Sequence, residues 1–359
     1  MTEEAQWRYA SERSIRPLRT FVRGEPVNDE EDDLRALVTG AAGFAGSHLC
    51  ELLLARGAEV YGLVMPGSPV NNLQEILAKR ERADRLRIKE TDIVDMEGLV
   101  AAIGDVRPEQ VYHLAAVSSV RRSLENPAET FQVNTVGTRN LLEAVRRAGV
   151  KPRILVVSSA EAYGESANLG LSLREEDLLF PTSPYGASKA AAEVLASRYV
   201  REFNLEIIRV RPFSHTGPRH SPQFVFPNWA RQLAEAEAGR RPPHIHVGNL
   251  EARRDITDVR DVVVAYLLSL ERGEVGAVYN VCSGRVYTLR DALQVLTSLS
   301  RIKVEVGAEP ERLRPQDLPV LVGSPQALRT CTGWEATIPL QRTLEDLLSY
   351  SRSHPDARD

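Results

Sequence analysis

The sequence predicts an α/β protein: a doubly wound parallel sheet with a smaller, interleaved C-terminal α/β lobe. Three observations predict it. From Leu34 onward short β-branched runs alternate with helix-length segments, a glycine-rich turn follows the first run at once, and the residues able to do chemistry stand at the carboxyl ends of later runs.

Taken in order, residues 35–39, 59–64, 86–90, 110–114, 154–158 and 206–210 read as strands, with helical periodicity at 45–56, 95–103, 127–148 and 184–203 between them. Parallel neighbours need crossovers of that length, and such crossovers are right-handed, so helices cover both faces of the sheet. After Arg211 the alternation loosens, with prolines at 212, 218, 222, 227, 242 and 243, and helices are expected near 225–238, 259–271, 288–299 and 341–352. The expected division gives residues 34–211 plus about 248–272 to the sheet domain and 212–247 plus 273–359 to the second lobe. Residues 1–33 stand apart: arginines up to Arg23 give way to Asp29, Glu30, Glu31, Asp32 and Asp33. They read as a disordered or loosely docked arm. Folding of Trp7, Tyr9 and the arginines over a partner or ligand stays open as the alternative.

With 359 residues, 43% hydrophobic and 26% charged, the chain can bury a large core and carry a second lobe. A net charge of −4 gives no general pull toward nucleic acid or an acidic membrane, so neither is expected as a partner. An anionic ligand must then be held by local arginines or backbone amides. Cys50, Cys282 and Cys331 lack metal-ligand spacing and read as small hydrophobes in a reducing compartment; no metal is expected. The chain has no apolar run of about 18 residues and no apolar signal core, and a cytoplasmic location is expected.

The glycine turn carries the cofactor reading. Gly40, Gly43 and Gly46 run from the first strand into a helix that opens on Phe44 and Ala45, permitting a tight turn and close backbone approach to a pyrophosphate. The second strand ends in Leu63-Val64-Met65-Pro66-Gly67-Ser68, with neither a carboxylate for a ribose 2′-hydroxyl nor an arginine for a 2′-phosphate, so NAD(H) against NADP(H) stays open. Asp92 and Ile93, after the third strand, are placed to bond and cover an adenine; a plain helix cap is the competing role for Asp92. The small residues of Leu114-Ala115-Ala116 let the chain lie against the cofactor, whereas His113 reads as a structural histidine.

Tyr185 and Lys189 stand four residues apart, on one face of a helix. A phenol titrating near about 10 is a poor proton donor or acceptor at neutral pH, and an adjacent ammonium stabilises its phenolate. One strand earlier Ser159 puts a hydroxyl at a carboxyl end, able to bond a substrate carbonyl or alcohol oxygen.

Together, Gly40, Gly43, Gly46, Asp92, the 113–116 run, Ser159, Tyr185 and Lys189 resemble the motif set of the extended short-chain dehydrogenase/reductase family of nucleotide-sugar epimerases, dehydratases and reductases, over roughly residues 34–352. The resemblance implies a Rossmann-type sheet, NADP(H) or NAD(H), and a homodimer formed through the helices at 127–148 and 184–203. It also implies that Tyr185, Lys189 and His215 touch the cofactor and that Ser118, Ser159, Glu161 and Ser214 touch the substrate. The runs Arg211-Pro212-Phe213-Ser214-His215-Thr216-Gly217-Pro218 and Val247-Gly248-Asn249-Leu250-Glu251-Ala252-Arg253-Arg254-Asp255 resemble the GDP-mannose branch, as do Tyr279-Asn280-Val281-Cys282-Ser283-Gly284 and the segment from Arg312 to Asp317. Arg254, Arg314 and Asp317 match nucleotide-binding positions of that branch. Arg219 and Arg231 are further candidates, since a guanidinium fork suits phosphate oxygens.

Within the branch the wording is nearest to reductases of GDP-4-keto-6-deoxy-D-mannose, which implies reduction of a 4-keto group in a GDP-linked sugar. Glu161 keeps a 4,6-dehydratase open, because a glutamate there removes a proton next to the keto group in dehydratases; Ser159 and Ala160 depart from the dehydratase pattern. A 4-epimerase, or a non-catalytic nucleotide-sensing protein on the same fold, also remains. Ser214 departs from the asparagine usual in the reductases.

Overall fold

The computed structural model describes residues 34–169, 172–309 and 318–355. The expected arm at 1–33, and with it any docking by Trp7 and Tyr9, lies outside the described residues, as do Arg314 and Asp317.

Seven parallel strands form the central sheet: β1 (Arg35–Thr39), β2 (Glu59–Val64), β3 (Leu86–Glu90), β4 (Gln110–His113), β5 (Arg153–Val157), β6 (Glu206–Pro212) and β10 (Val278–Val281), in the order β10-β6-β5-β4-β1-β2-β3. Parallel strands are covered on both faces and therefore read as continuous apolar runs. β1 shows this, for Ala36, Leu37 and Val38 are all fully buried. Ala36 and Val38 pack with helices α1 (Phe44–Ala55) and α6 (Val259–Arg272), while Leu37 faces α2 (Met96–Val106) and α3 (Gly137–Arg147) on the other side. Strand order reverses between β1 and β4, whose ends meet at the Thr39–His113 pairing. A crevice opens at such a switch point, and ligands of doubly wound sheets bind there.

The fourth long crossover, α4 (Pro184–Phe203), has strong start and stop signals. Ser183 accepts the Gly186 amide at 3.1 Å, Pro184 fills the first turn, and Asn204 ends the helix in the left-handed region at φ 53°. The expected 127–148 helix is real but interrupted, because Gln132–Val136 forms a single π turn ahead of α3.

The smaller lobe holds β7 (Ser214–Thr216), β9 (Arg253–Asp258), β11 (Val286–Thr288) and β13 (Val320–Leu321) in one sheet, and β8 (His244–Val247) paired with β12 (Glu305–Ala308) in another. Helices α5 (Val225–Glu237), α7 (Leu289–Ser298) and α8 (Leu340–Ser353) close over Phe226, Trp229, Leu233, Leu293, Leu344 and Leu348. The lobes interleave more finely than expected. β9 belongs to the small sheet although the expected division gave about 248–272 to the large domain, and β10 returns to the central sheet from a stretch given to the small lobe. With only four residues, Val278 to Val281, β10 shows no run long enough to stand out from a loop. Among the described residues no helix is long and apolar enough to cross a membrane.

Candidate active site

The crevice is built first from backbone. β1 ends in Thr39, and Gly40 follows at φ 70°, where a side chain would be strained and its Cβ would stand 2.9 Å from the Ala115 amide nitrogen. At Gly46 a Cβ would come within 2.1 Å of the Gly40 carbonyl oxygen, so the first turn of α1 lies directly on the loop. Gly43 is the cap residue of α1, no side chain caps it, and no acidic residue stands in its first turn. The amides of Phe44 and Ala45 therefore open the helix toward the crevice with no carboxylate to repel an anion, which fits a pyrophosphate.

Around this turn Thr39 Oγ1 accepts the Ala115 amide at 3.1 Å and pairs with His113 Nδ1 at 2.8 Å; His113 Nε2 meets Thr138 Oγ1 at 2.9 Å. With both nitrogens engaged, His113 is the structural histidine expected. Burial and then the Lys189 charge hold it down to about 3, so it is neutral at working pH. Leu114, Ala115 and Ala116 lie half-buried beyond it. Asp92 is not the cap of α2: that role is Asp95's, which accepts the Gly98 amide at 3.1 Å, while Asp92 Oδ1 takes the Val94 amide at 3.0 Å. Ile93 is buried against Gly137, where a Cβ would come within 2.8 Å of its side chain.

Groups able to give or take a proton converge across the crevice. Tyr185 sits in the first turn of α4 with its amide on Ser123 Oγ at 3.2 Å. Burial pushes its phenol up to about 12, the Ser159 hydrogen bond pulls it back, and the Glu161 charge pushes it further up. One turn on, Lys189 is 6% exposed and donates Nζ to the Val157 carbonyl at 2.8 Å. Burial lowers it to about 8 while Glu193 raises it. Ser159, itself buried, also accepts the Glu161 amide at 3.2 Å, which fixes the turn after β5. Ser159, Glu161 and Tyr185 thus meet beyond the end of β5, with Lys189 one turn further along α4 on the Val157 carbonyl.

Supporting residues were not legible in advance. Asn134, in the π turn, accepts the Val117 amide at 2.8 Å and donates to Ser188 Oγ at 2.9 Å, while Thr135 Oγ1 donates to the Ser188 carbonyl at 3.0 Å. These bonds pin α4 beside Lys189. A buried asparagine inside apolar periodicity was the available signal. π turns concentrate at functional sites.

His215 stacks on Phe44, with centroids 5.8 Å apart and planes at 11°, and its Nδ1 pairs with the Phe213 carbonyl at 2.8 Å. His220 stacks on the same ring at 4.1 Å. Ser214 lies half-buried on β7, Ser118 is exposed in the loop after β4, and Arg254 reaches the Leu318 carbonyl at 2.7 Å. Arg231 bonds Glu235 at 2.8 Å and faces a hollow of about 220 Å³ shared with Asn228, Gln232 and Arg241. Arg219 is a correction to the sequence reading. Its guanidinium is buried against Glu51 of α1 at 2.5 Å, and Glu51 also holds Arg82, so Arg219 is committed to the back of the glycine-turn helix rather than to a ligand. Among the described residues no cluster of three or more His, Cys, Asp or Glu can hold a metal.

Buried histidines give one testable consequence. His48, His113, His215 and His220 are all lowered from 6.5, burial being the largest cause for each. Below that value the unfolded chain takes up protons that the folded protein refuses, so stability is lost as pH falls through and below 6.5. Urea unfolding at pH 7.5 and 5.5 is expected to show a lower midpoint at 5.5; equal midpoints would show that these rings are not held neutral.

The model of the GDP-mannose 4,6 dehydratase family matches residues 37–347. The chain belongs to this family. Within the reach of the GDP-mannose 4,6-dehydratase family, a GDP-6-deoxy-D-mannose reductase from Pseudomonas aeruginosa is 34% identical over 318 residues, 88% of this chain and 96% of the relative. The structure of RMD from Pseudomonas aeruginosa complexed with NADPH superposes with a TM-score of 0.76 at 32% identity, covering 89% of this chain and 99% of that one. A UDP-glucose 4-epimerase from Thermus thermophilus in complex with NAD gives a TM-score of 0.76 at 33% identity, covering 89% and 99%. Extended short-chain dehydrogenase/reductase architecture is therefore shown, and the fold's relatives hold NADPH or NAD.

Proposed function

We propose that this enzyme uses NAD(P)H to reduce the 4-keto group of a GDP-4-keto-6-deoxyhexose. The observation that carries the reading is the Ser159–Tyr185 hydrogen bond beside the buried Lys189 ammonium, at the mouth of an uncapped glycine-turn helix. Likeness to a GDP-6-deoxy-D-mannose reductase over almost all of that relative's length supports the substrate class.

Reduced nicotinamide, when bound, supplies the hydride. The chain's own residues do the rest. Ser159 Oγ and Tyr185 Oη bond the oxygen at carbon 4, and Tyr185 gives its proton as negative charge develops there. Lys189 fixes the nicotinamide ribose with the N–H groups not spent on Val157, and its charge lowers the cost of the phenolate left behind. Because Lys189 titrates at about 8, kcat/KM falls as pH rises through that value and the ammonium is lost. Gly40, Gly43 and Gly46 admit the pyrophosphate, and Arg254, on β9, is the residue proposed to meet the nucleotide of the substrate.

Glu161 favours a second reading, the 4,6-dehydratase, because its charge acts on Tyr185 and a carboxylate there can take a proton next to a keto group. One experiment separates the two. Incubation with GDP-4-keto-6-deoxymannose and NADPH or NADH is expected to consume the reductant and give a single 4-hydroxy product by NMR. Turnover of GDP-mannose without added reductant would establish the dehydratase, exchange at C4 without net redox an epimerase, and binding without turnover a nucleotide sensor.

We further propose a homodimer through the face where Leu124, Phe131 and Val194 are exposed. Val194→Glu is expected to halve the mass measured by light scattering at micromolar concentration; a monomeric wild-type mass would remove the proposal.

A further inference from the structure

We propose that Glu193, held by Arg211, is a positioning residue of this active site: it supplies the charge behind Lys189 and ties α4 to the turn that bears Ser159 and Glu161. The inference rests on the cofactor-binding part of the proposed function and not on which sugar is reduced.

The geometry is a buried charged chain that crosses three elements. Glu193 and Lys189 are four residues apart on α4 and share a face. Glu193 is 2% exposed and Arg211, at the end of β6, 5%. Arg211 Nε reaches Glu193 Oε1 at 2.9 Å and its Nη2 reaches Oε2 at 2.8 Å, a two-pronged contact. Arg211 Nη1 then donates to Tyr163 Oη at 2.8 Å, and Tyr163 donates to Asn280 Oδ1 on β10 at 2.8 Å. Tyr163 follows directly on the short 3₁₀ turn Ala160–Ala162 that carries Glu161 and is capped by Ser159. The Glu193 carbonyl accepts Ser197 Oγ at 2.9 Å, and that hydroxyl takes Arg209 Nη1 at 2.6 Å. The spacing between Ser159 and Tyr185 is thereby set from behind, by a carboxylate that touches neither.

Stability alone is a poor reason for such a pair, since apolar side chains of similar volume commonly replace a buried ion pair without loss. Charge balance gives a better one. The groups that act on Lys189 are Glu193 on its own helix and His113 from β4, and His113 is neutral. Glu193 in turn faces Arg211 and Arg209 from β6, and Arg211 faces Tyr163 and Glu175. Tyr185 feels Glu161 and lies near Tyr266 of α6. Removing the Glu193 charge takes away the group that raises Lys189 against its burial, so its proton is lost at lower pH.

The test is the pH dependence of the dissociation constant for NADPH and NADH, followed by fluorescence, together with thermal melting of the full chain. Glu193→Gln is expected to move the alkaline loss of cofactor affinity to lower pH and to weaken binding about tenfold at pH 8. The double variant Glu193→Gln/Arg211→Met removes both charges; it is expected to recover the melting temperature lost by the single variant while keeping the displaced pH dependence. Tyr163→Phe keeps both charges and is expected to leave the pH dependence of wild type while lowering turnover through the loosened Ser159 turn. A wild-type pH dependence in the double variant overturns the proposal, and so does a displaced one in Tyr163→Phe. Should Glu193→Gln fail to fold, the other two variants still decide it. Absence of cofactor binding by the wild type sinks the underlying functional reading instead, a result distinct from normal binding with an unmoved pH dependence.

Discussion

Tyr185→Phe is expected to lower kcat by about a thousandfold, within the range of about a hundred to ten thousand that a positioned proton donor contributes, while the protein folds and binds NAD(P)H as before. The reasoning starts from position. Tyr185 keeps its place through its amide bond to Ser123 and through the Ser183 cap, neither of which involves the phenol. Its hydroxyl carries the Ser159 bond alone among the contacts that act on its titration favourably. Loss of that bond costs about 1 kcal/mol of stability at most, so a melting temperature near wild type is expected beside the lost turnover. Single-turnover reduction followed at 340 nm measures the chemical step directly. A variant that keeps a tenth or more of wild-type turnover would show that the proton comes from elsewhere, with Glu161 the group to examine next.

Gly46→Ala is expected to weaken NAD(P)H binding by a hundredfold or more, equivalent to about 3 kcal/mol. The added methyl carbon would lie 2.1 Å from the Gly40 carbonyl oxygen, a backbone atom that cannot rotate out of the way. Either α1 lifts from the turn or the turn itself shifts. In both cases Gly40 loses its fit against Ala115, whose amide nitrogen lies so near that a Cβ on Gly40 would stand 2.9 Å from it. The amides at the start of α1 then no longer point together at one anion. Fluorescence titration of NADPH into the variant and the wild type is the check, with circular dichroism to confirm the fold; equal dissociation constants would show that the pyrophosphate does not rest on this turn.

Most of the sheet domain was legible because parallel strands buried on both faces leave unbroken apolar runs, as 36–38 do, and because caps such as Ser183 and the glycine turn mark helix starts unambiguously. The residues proposed to move the proton stood out in the sequence because their spacing is local: Tyr185 and Lys189 lie within one helix, and Ser159 follows one strand. What escaped is what depends on distant partners. Arg219 offers the same guanidinium as Arg254, and only the fold shows that Glu51, 168 residues away in sequence, claims it. Arg211 opens a recognisable motif, yet its tie to Glu193 and Tyr163 needs β6, α4 and the 3₁₀ turn in place at once. The π turn at Asn134 keeps a helical sequence pattern and changes only the hydrogen-bond step, so periodicity passes over it. The lobe boundary escaped for the same reason, since β9 and β10 are short and find their sheets through tertiary pairing.

The stack on Phe44 has a mechanical meaning. His215 and His220 press on that ring, His48 meets the Pro218 carbonyl at 2.9 Å, and Arg219 grips Glu51, so a single stretch of six residues, 215–220, fastens α1 to the chain that leads into the smaller lobe. Opening a hinge along this seam would have to unstack both rings and break the Arg219–Glu51 pair. On that account a nucleotide sugar is expected to meet a cleft whose walls keep their spacing, with discrimination between hexoses left to side chains at the rim rather than to the swing of one lobe against the other.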